Sequence, residues 1–460
     1  MSQSNNQSYL PPQKKMTKKR KHQVILFLRL FILVMVFLII GLTILIIGHA
    51  ISSGIASSKT TGSSHSVISS SVTADTTVSN AASTATPSPT AVPTITEILP
   101  QSALAESFFG PLPTPESISV VEHHEIHAIY IGAAAYMDNN IELAKNSEIN
   151  AFVIDLKESN GVLFNSTNAM ASDLGVIISA YDLKEIIQKC HDNGILVIGR
   201  IVCFKDPELA KQKPEYSIED ASGNSLYFTN EGSNAFVNPY DTEVWDYNID
   251  IAIEAVNAGI DEIQFDYVRF PTGGTTSGEK PYFGDAATTP TKAEVINRFL
   301  QTARIRIQDE YGIPVNADVF AITLSSASDG ASLGQDWASI GLTGIDALCP
   351  MIYPSHYALK TSLNGQFFDK PDLYPHDVVY DALIMGSDEA AVPGFSVVRP
   401  YLQAFTASYI GDDDAGNPNW MTYSYDQINA QIKAVHDAGY TEWILWNPSA
   451  IYPTGAYDGA

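Results

Sequence analysis

The chain has 460 residues, more than one compact core needs, and it carries a formal charge of −25 with three cysteines. From residue 101 onward 49 acids stand against 18 bases, a net of −31. So acidic a surface argues against nucleic acid and anionic polymers as partners and suits a neutral substrate.

The first 22 residues are a basic tail, with Lys14, Lys15, Lys18, Lys19, Arg20 and Lys21 and no acid. Residues 23–48 follow as an apolar run whose only charge is Arg29. Crossing a bilayer takes roughly 20 apolar residues, so this run predicts one transmembrane helix. The basic tail stays in the cytoplasm, which puts everything after Gly48 outside. A cleaved signal peptide is the rival reading, but its apolar region spans only ~7–15 residues. An uncleaved signal anchor in the cell membrane is therefore expected, single-pass, with the C-terminal domain extracytoplasmic. Residues 49–117 form a Ser/Thr/Pro-rich linker, and up to residue 98 they contain no aromatic residue. Such a composition cannot offset the entropy of ordering, so the linker reads as a disordered stalk.

The remaining stretch, 118–460, alternates apolar β-branched runs with amphipathic helical runs. Strands are predicted at 126–132, 149–157, 194–204, 259–270, 313–320, 344–353, 395–405 and 440–448. Between them, helices end at Gly194, Gly259 and Gly439, each followed within a residue or two by a strand. Eight β/α units predict an α/β protein with a (β/α)8 TIM barrel. The long insertions, 205–240, 271–290 and 354–374, follow strands and would build one active face. A doubly wound sheet competes, but "IGAAAY" after the first strand lacks its Gly-rich phosphate turn.

In such barrels the functional groups collect at the C-terminal ends of the strands. Reading those ends gives Asp155 and Glu158, Arg200, Asp266 with Arg269, Asp318, Tyr353 with His356, and Trp446 with Asn447. Paired carboxylates do acid, base and nucleophilic work at acetal carbons, and aromatic faces stack on sugar rings. Asp266 and Asp318, from adjacent strands, are the expected catalytic pair. Asp155, Arg200, Arg269, Tyr353, His356, Trp446 and Asn447 are the expected substrate-binding residues. Arg269 and Arg200 are the two candidates for compensating the charge of Asp266. A structural ion pair at the strand end is the plainer reading of the same residues. Cys190, Cys203 and Cys349 match no zinc spacing, no histidine pair does, and no phosphate loop is present, so neither metal nor cofactor is expected.

"AFVIDLKESNGVLF", "DEIQFDYVRFP", "NADVF" and "DALCPMIYPSHY" resemble a bacterial glycoside hydrolase family catalogued as domain of unknown function 4015. The resemblance runs from about Ile126 to Pro453. It implies a barrel distantly related to the amylase-type hydrolases, in which a fourth-strand Asp is the nucleophile and a fifth-strand Glu the acid. Asp266 matches the first position, and Asp318 occupies the second as Asp rather than Glu. Two functions follow as expectations. One is a membrane-anchored glycosidase acting on a poly- or oligosaccharide at the bacterial cell surface. The other is a non-catalytic glycan-binding barrel.

Overall fold

The computed structural model describes Leu99, residues 102–115 and residues 117–459. The basic tail 1–22, the expected membrane span 23–48 and most of the linker 49–117 lie outside the described residues. Among the described residues no helix is long and apolar enough to cross a membrane.

Eight parallel strands close on themselves. They are β1 (His127–Gly132), β2 (Ala151–Glu158), β3 (Leu196–Val202), β4 (Glu262–Asp266), β5 (Val315–Phe320), β6 (Ala347–Ile352), β7 (Tyr401–Gln403) and β8 (Trp443–Trp446). Each pairs with the next in sequence order, and β8 returns to β1 through His127 opposite Trp443. This is the (β/α)8 barrel expected from the alternation; seven of its strands fall inside a predicted run, and β2 extends one residue past its own. β7 is short because Pro400 has no N–H for the ladder, and a separate pair, Val397–Val398, makes the lower contact with β6.

The strands read as continuous apolar runs because both their faces are covered. One face of the wall supplies a lumen cluster that includes Ala128, Val153, Ile198, Cys349, Tyr401 and Ile444. The other joins the helices in a much larger core containing Phe152, Ile154, Phe265, Phe299 and Trp245. Each such side chain contributes about 1.5–3 kcal/mol on burial. The helix Thr242–Ala258 ends as predicted, with Gly259 at φ 103° and its N–H on the carbonyls of Ala255 and Val256.

Within the stretch assigned to the linker, Ser102 caps a short helix, Ala103–Phe109. Phe109 lies against Trp245 at 4.9 Å between ring centroids, and Arg298 donates to the Gly110 carbonyl at 2.7 Å. From Ser102 onward, part of this stretch is therefore packed on the outer helices of the barrel.

The lower, N-terminal end of the barrel is plugged by charge. Arg399, fully buried, donates to Glu262 and Glu442, each at 2.6 Å. His123, just ahead of β1, bridges Glu442 at 2.7 Å and Asp346 at 3.0 Å. Asn316 adds a bond to Glu262 at 2.7 Å. The two carboxylates that flank His123 raise its pKa to about 10, so it is a cation at neutral pH.

Candidate active site

The upper rim is built by strand ends whose inward positions follow the period of two. On β4 these are Glu262, Gln264 and Asp266, and on β5 they are Asn316, Asp318 and Phe320. Gln264 lies opposite Asn316 and Phe265 opposite Ala317, so the register carries Asp266 and Asp318 to the same level on neighbouring strands. Adjacent strands run ~4.8 Å apart.

Arg200, inward on β3, organises the carboxylates. It donates to Asp266 Oδ2 through Nε at 3.0 Å and Nη2 at 2.6 Å. Its Nη1 reaches Asp155 at 2.5 Å and Glu158 at 2.7 Å. The Tyr130 hydroxyl closes the other side of Asp155 at 2.5 Å. The second oxygen of Asp266 accepts the backbone N–H of Tyr267 at 2.5 Å. Tyr267 has φ 52°, in the left-handed region that a bulky side chain rarely adopts. That turn ends β4 immediately after Asp266, and such strain gathers at functional sites.

Asp318 has no such support. It is 1% exposed, and its Oδ1 has no hydrogen-bond partner. Burial, then the neighbouring charge of Asp266, pushes its pKa well above the ordinary carboxylate range, which favours its protonated form. Burial also raises the pKa of Asp155, against the pull of Arg200.

These groups border a cavity of about 840 Å³, within the range of small-molecule sites. Arg200, Asp266 and Asp318 line it together with Tyr353, His356 and Trp446. Tyr353 stacks on Trp446 at 5.6 Å and meets His356 edge-on at 5.0 Å. Burial lowers the pKa of His356, leaving a neutral imidazole.

Of the nine residues read from the sequence, six therefore line one cavity, and Asp155 sits directly behind it on Arg200. Arg269 and Asn447 stand apart. Arg269 is buried against Glu231 at 2.9 Å, so Arg200, not Arg269, compensates Asp266. The turn at Tyr267 breaks the strand alternation and sends Arg269 outward, where its guanidinium lies 4.5 Å from the Phe320 ring centre and 4.9 Å from that of Tyr267. It backs two walls of the cavity. Asn447 bonds the carbonyls of Ala404 and Ile451 and holds the loop after β8.

Tyr267, Phe320, Met351 and Tyr401 also line the cavity, and Tyr130 bonds Asp155 behind it. Tyr267 and Tyr401 were legible as strand-end residues, whereas sequence reading missed Tyr130, Phe320 and Met351. Phe320 follows Asp318 by two positions on one strand, a signal that was present. Tyr401, whose hydroxyl donates to Gln264 at 2.7 Å, is also an inward strand position.

A closed barrel whose C-terminal mouth carries opposed carboxylates beside an aromatic shelf defines a class of carbohydrate-active domain. The chain belongs to the family described as "Putative glycosyl hydrolase domain", domain of unknown function 4015, whose model matches residues 126–452. Among curated proteins, none matches the chain. Among solved structures, the chain is similar to a hypothetical protein from Ruminiclostridium thermocellum. The two are 35% identical over 42% of this chain and 97% of that one, with a TM-score of 0.35. It is also similar to an α-galactosidase from Thermus thermophilus, at 9% identity over 73% of this chain and 60% of that one, with a TM-score of 0.42. An α-L-fucosidase isoenzyme from Paenibacillus thiaminolyticus matches at 16% identity over 73% and 48% of the two chains, with a TM-score of 0.44.

Proposed function

We propose that the barrel is a glycosidase that cleaves an O-glycosyl bond with Asp266 as nucleophile and Asp318 as general acid. One observation carries this reading. Two carboxyl groups at the same level of adjacent strands sit in opposite environments, one paired with an arginine and one buried without a cation. Separated environments of this kind divide acid and nucleophile roles between paired carboxyls.

In the reaction, Asp318 gives its proton to the leaving glycosidic oxygen as the C–O bond breaks. Asp266 Oδ1 has a single partner, against two donors on Oδ2, and is the oxygen that attacks the anomeric carbon. Water then releases the glycosyl group, and Asp318, now a carboxylate, takes the water's proton. Two displacements at the anomeric carbon keep its configuration, the retaining course in which the carboxyl groups stand ~5–5.5 Å apart. Tyr353 and Trp446 supply the stacking faces, and the neutral His356 offers a hydrogen bond to a sugar hydroxyl.

The test is incubation with activated 2-fluoro glycosides followed by peptide mass analysis. A glycosyl adduct on the peptide carrying Asp266 supports the assignment. Turnover with inversion, read from the first anomer by NMR, overturns it. Binding of glycans without any turnover leaves the non-catalytic barrel instead.

The apolar run 23–48 with its basic flank supports a membrane anchor that holds the barrel outside the cell. Membrane fractionation of the full chain, and of a chain lacking residues 1–48, checks it. Equal release of both into the soluble fraction refutes it.

A further inference from the structure

A second cavity, of about 570 Å³, opens on the same face of the barrel. The loop after β4 forms one side, and the helix Ala327–Leu333, after β5, forms the other. Phe320 and Ile322 line both this cavity and the catalytic one, so the two abut across those side chains.

The lining has the chemistry of a neutral polyol site. Its charged groups are Lys280 and Lys292 against Glu279 and Asp329, which cancel. Phe283 and Phe320, both half-buried, offer ring faces beside them. Lys292 is fixed in the wall, its Nζ 4.8 Å from the Phe270 ring centre and bonded to the Ser332 carbonyl at 3.0 Å. The loop "TGGTTSGEK" (272–280) brings its backbone to the cavity with little side-chain bulk. At Gly274 an added Cβ would meet nothing within 4 Å. A rigid lysine donor, two acceptor carboxylates, bare backbone and aromatic faces match the hydroxyl edges and apolar faces of sugar rings.

We propose that this cavity is a distal subsite that binds further neutral sugar units of a chain whose scissile bond lies over Asp266. The inference rests on the glycosidase reading, and it makes the substrate a polymer whose recognition strengthens with length.

The experiment uses the full chain carrying Asp266→Asn, so that ligands are not consumed. It is titrated calorimetrically with malto-, cello- and chito-oligosaccharides of two to six units. In at least one series affinity should rise about tenfold or more between two and six units. Gly274→Trp and Ser332→Trp, which fill the cavity from opposite walls, should each abolish that rise and keep the two-unit affinity. If either variant fails to fold, the other carries the test. A rise that persists in a folded filled variant overturns the subsite, as does a response independent of length in the unfilled protein or no binding in any series. A length-dependent rise, lost on filling, in a protein whose native form turns over none of the three series supports the subsite and removes the hydrolase reading.

Discussion

The two ends of the barrel lumen are built from one motif, an arginine set among acids, and they do opposite things with it. At the lower end Arg399 and the protonated His123 face Glu262, Glu442 and Asp346, two cations for three acids. At the upper end Arg200 alone faces Asp155, Glu158, Asp266 and, without direct contact, Asp318. The lower set is sealed from solvent except at His123 and Asp346, and it lies where barrels carry stability rather than chemistry. The upper set opens into a cavity. One guanidinium faces three buried carboxyls and a partly exposed fourth, a deficit that favours protonation of the carboxyl it does not touch. That carboxyl is Asp318, whose pKa burial and the charge of Asp266 push upward and which is the acid of the proposed reaction. The difference between a plug and a site is thus the ratio of cations to acids.

If that distinction is right, the largest effects fall on activity at one end and on stability at the other. Asp266→Asn should reduce kcat by about 10⁴-fold, the scale of losing a nucleophile, while leaving the thermal unfolding midpoint within a few degrees. Steady-state kinetics on an aryl glycoside and a melting curve read the two together. Glu262→Gln should do the reverse. It leaves Arg399 with Glu442 at 2.6 Å and the longer pair with Asp346 at 3.9 Å, and costs about 3 kcal/mol of stability. The kcat of the folded fraction should be unchanged. A Glu262 variant that lost turnover without losing stability would erase the distinction between the ends.

The barrel was legible because eight apolar runs alternate with amphipathic ones, and three of the helices end in a glycine just before the next strand. The carboxylates and their arginine were legible because the strand period continues through them. Arg200, Asp266 and Asp318 sit at regular inward positions, and reading the strand ends found all three. Arg269 failed because the left-handed turn at Tyr267 is a tertiary event that no local pattern announces. Asn447 failed for a related reason, since an asparagine after a strand serves a loop as readily as a ligand. The plug was missed because Glu262, Arg399 and Glu442 lie far apart in sequence, and only closure of the barrel brings them together.

A smaller effect separates the cations of the two ends. His123→Gln should cost about 1–2 kcal/mol at neutral pH, less than a fully buried pair because the side chain is partly exposed. The folded protein keeps the His123 proton up to about 10, whereas the unfolded chain releases it near 6.5. Its stabilisation is therefore complete below pH 6.5 and fades as pH rises toward 10. Chemical denaturation at pH 6 and pH 10 should show the gap between native and variant closing.

The smallest expected change in stability belongs to Asp318, and it has the opposite sign. Its folded pKa is raised, so the folded state holds a proton that the unfolded chain gives up above 3.8. Stability from this group therefore falls as pH climbs from 3.8 to the raised value, where the buried carboxyl is forced to ionise without a cation. Asp318→Asn cannot ionise, so it should be more stable than the native protein at alkaline pH, by about 1 kcal/mol, and nearly equal to it at pH 4. Its kcat should nonetheless collapse on substrates with poor leaving groups and recover in part on aryl glycosides that need no protonation. A variant that gains stability while losing only the acid-dependent reaction would show that the unpaired carboxyl is kept for chemistry at the expense of the fold. Equal loss on both substrates would move the acid to Asp155 or Glu158, the carboxyls that share Arg200.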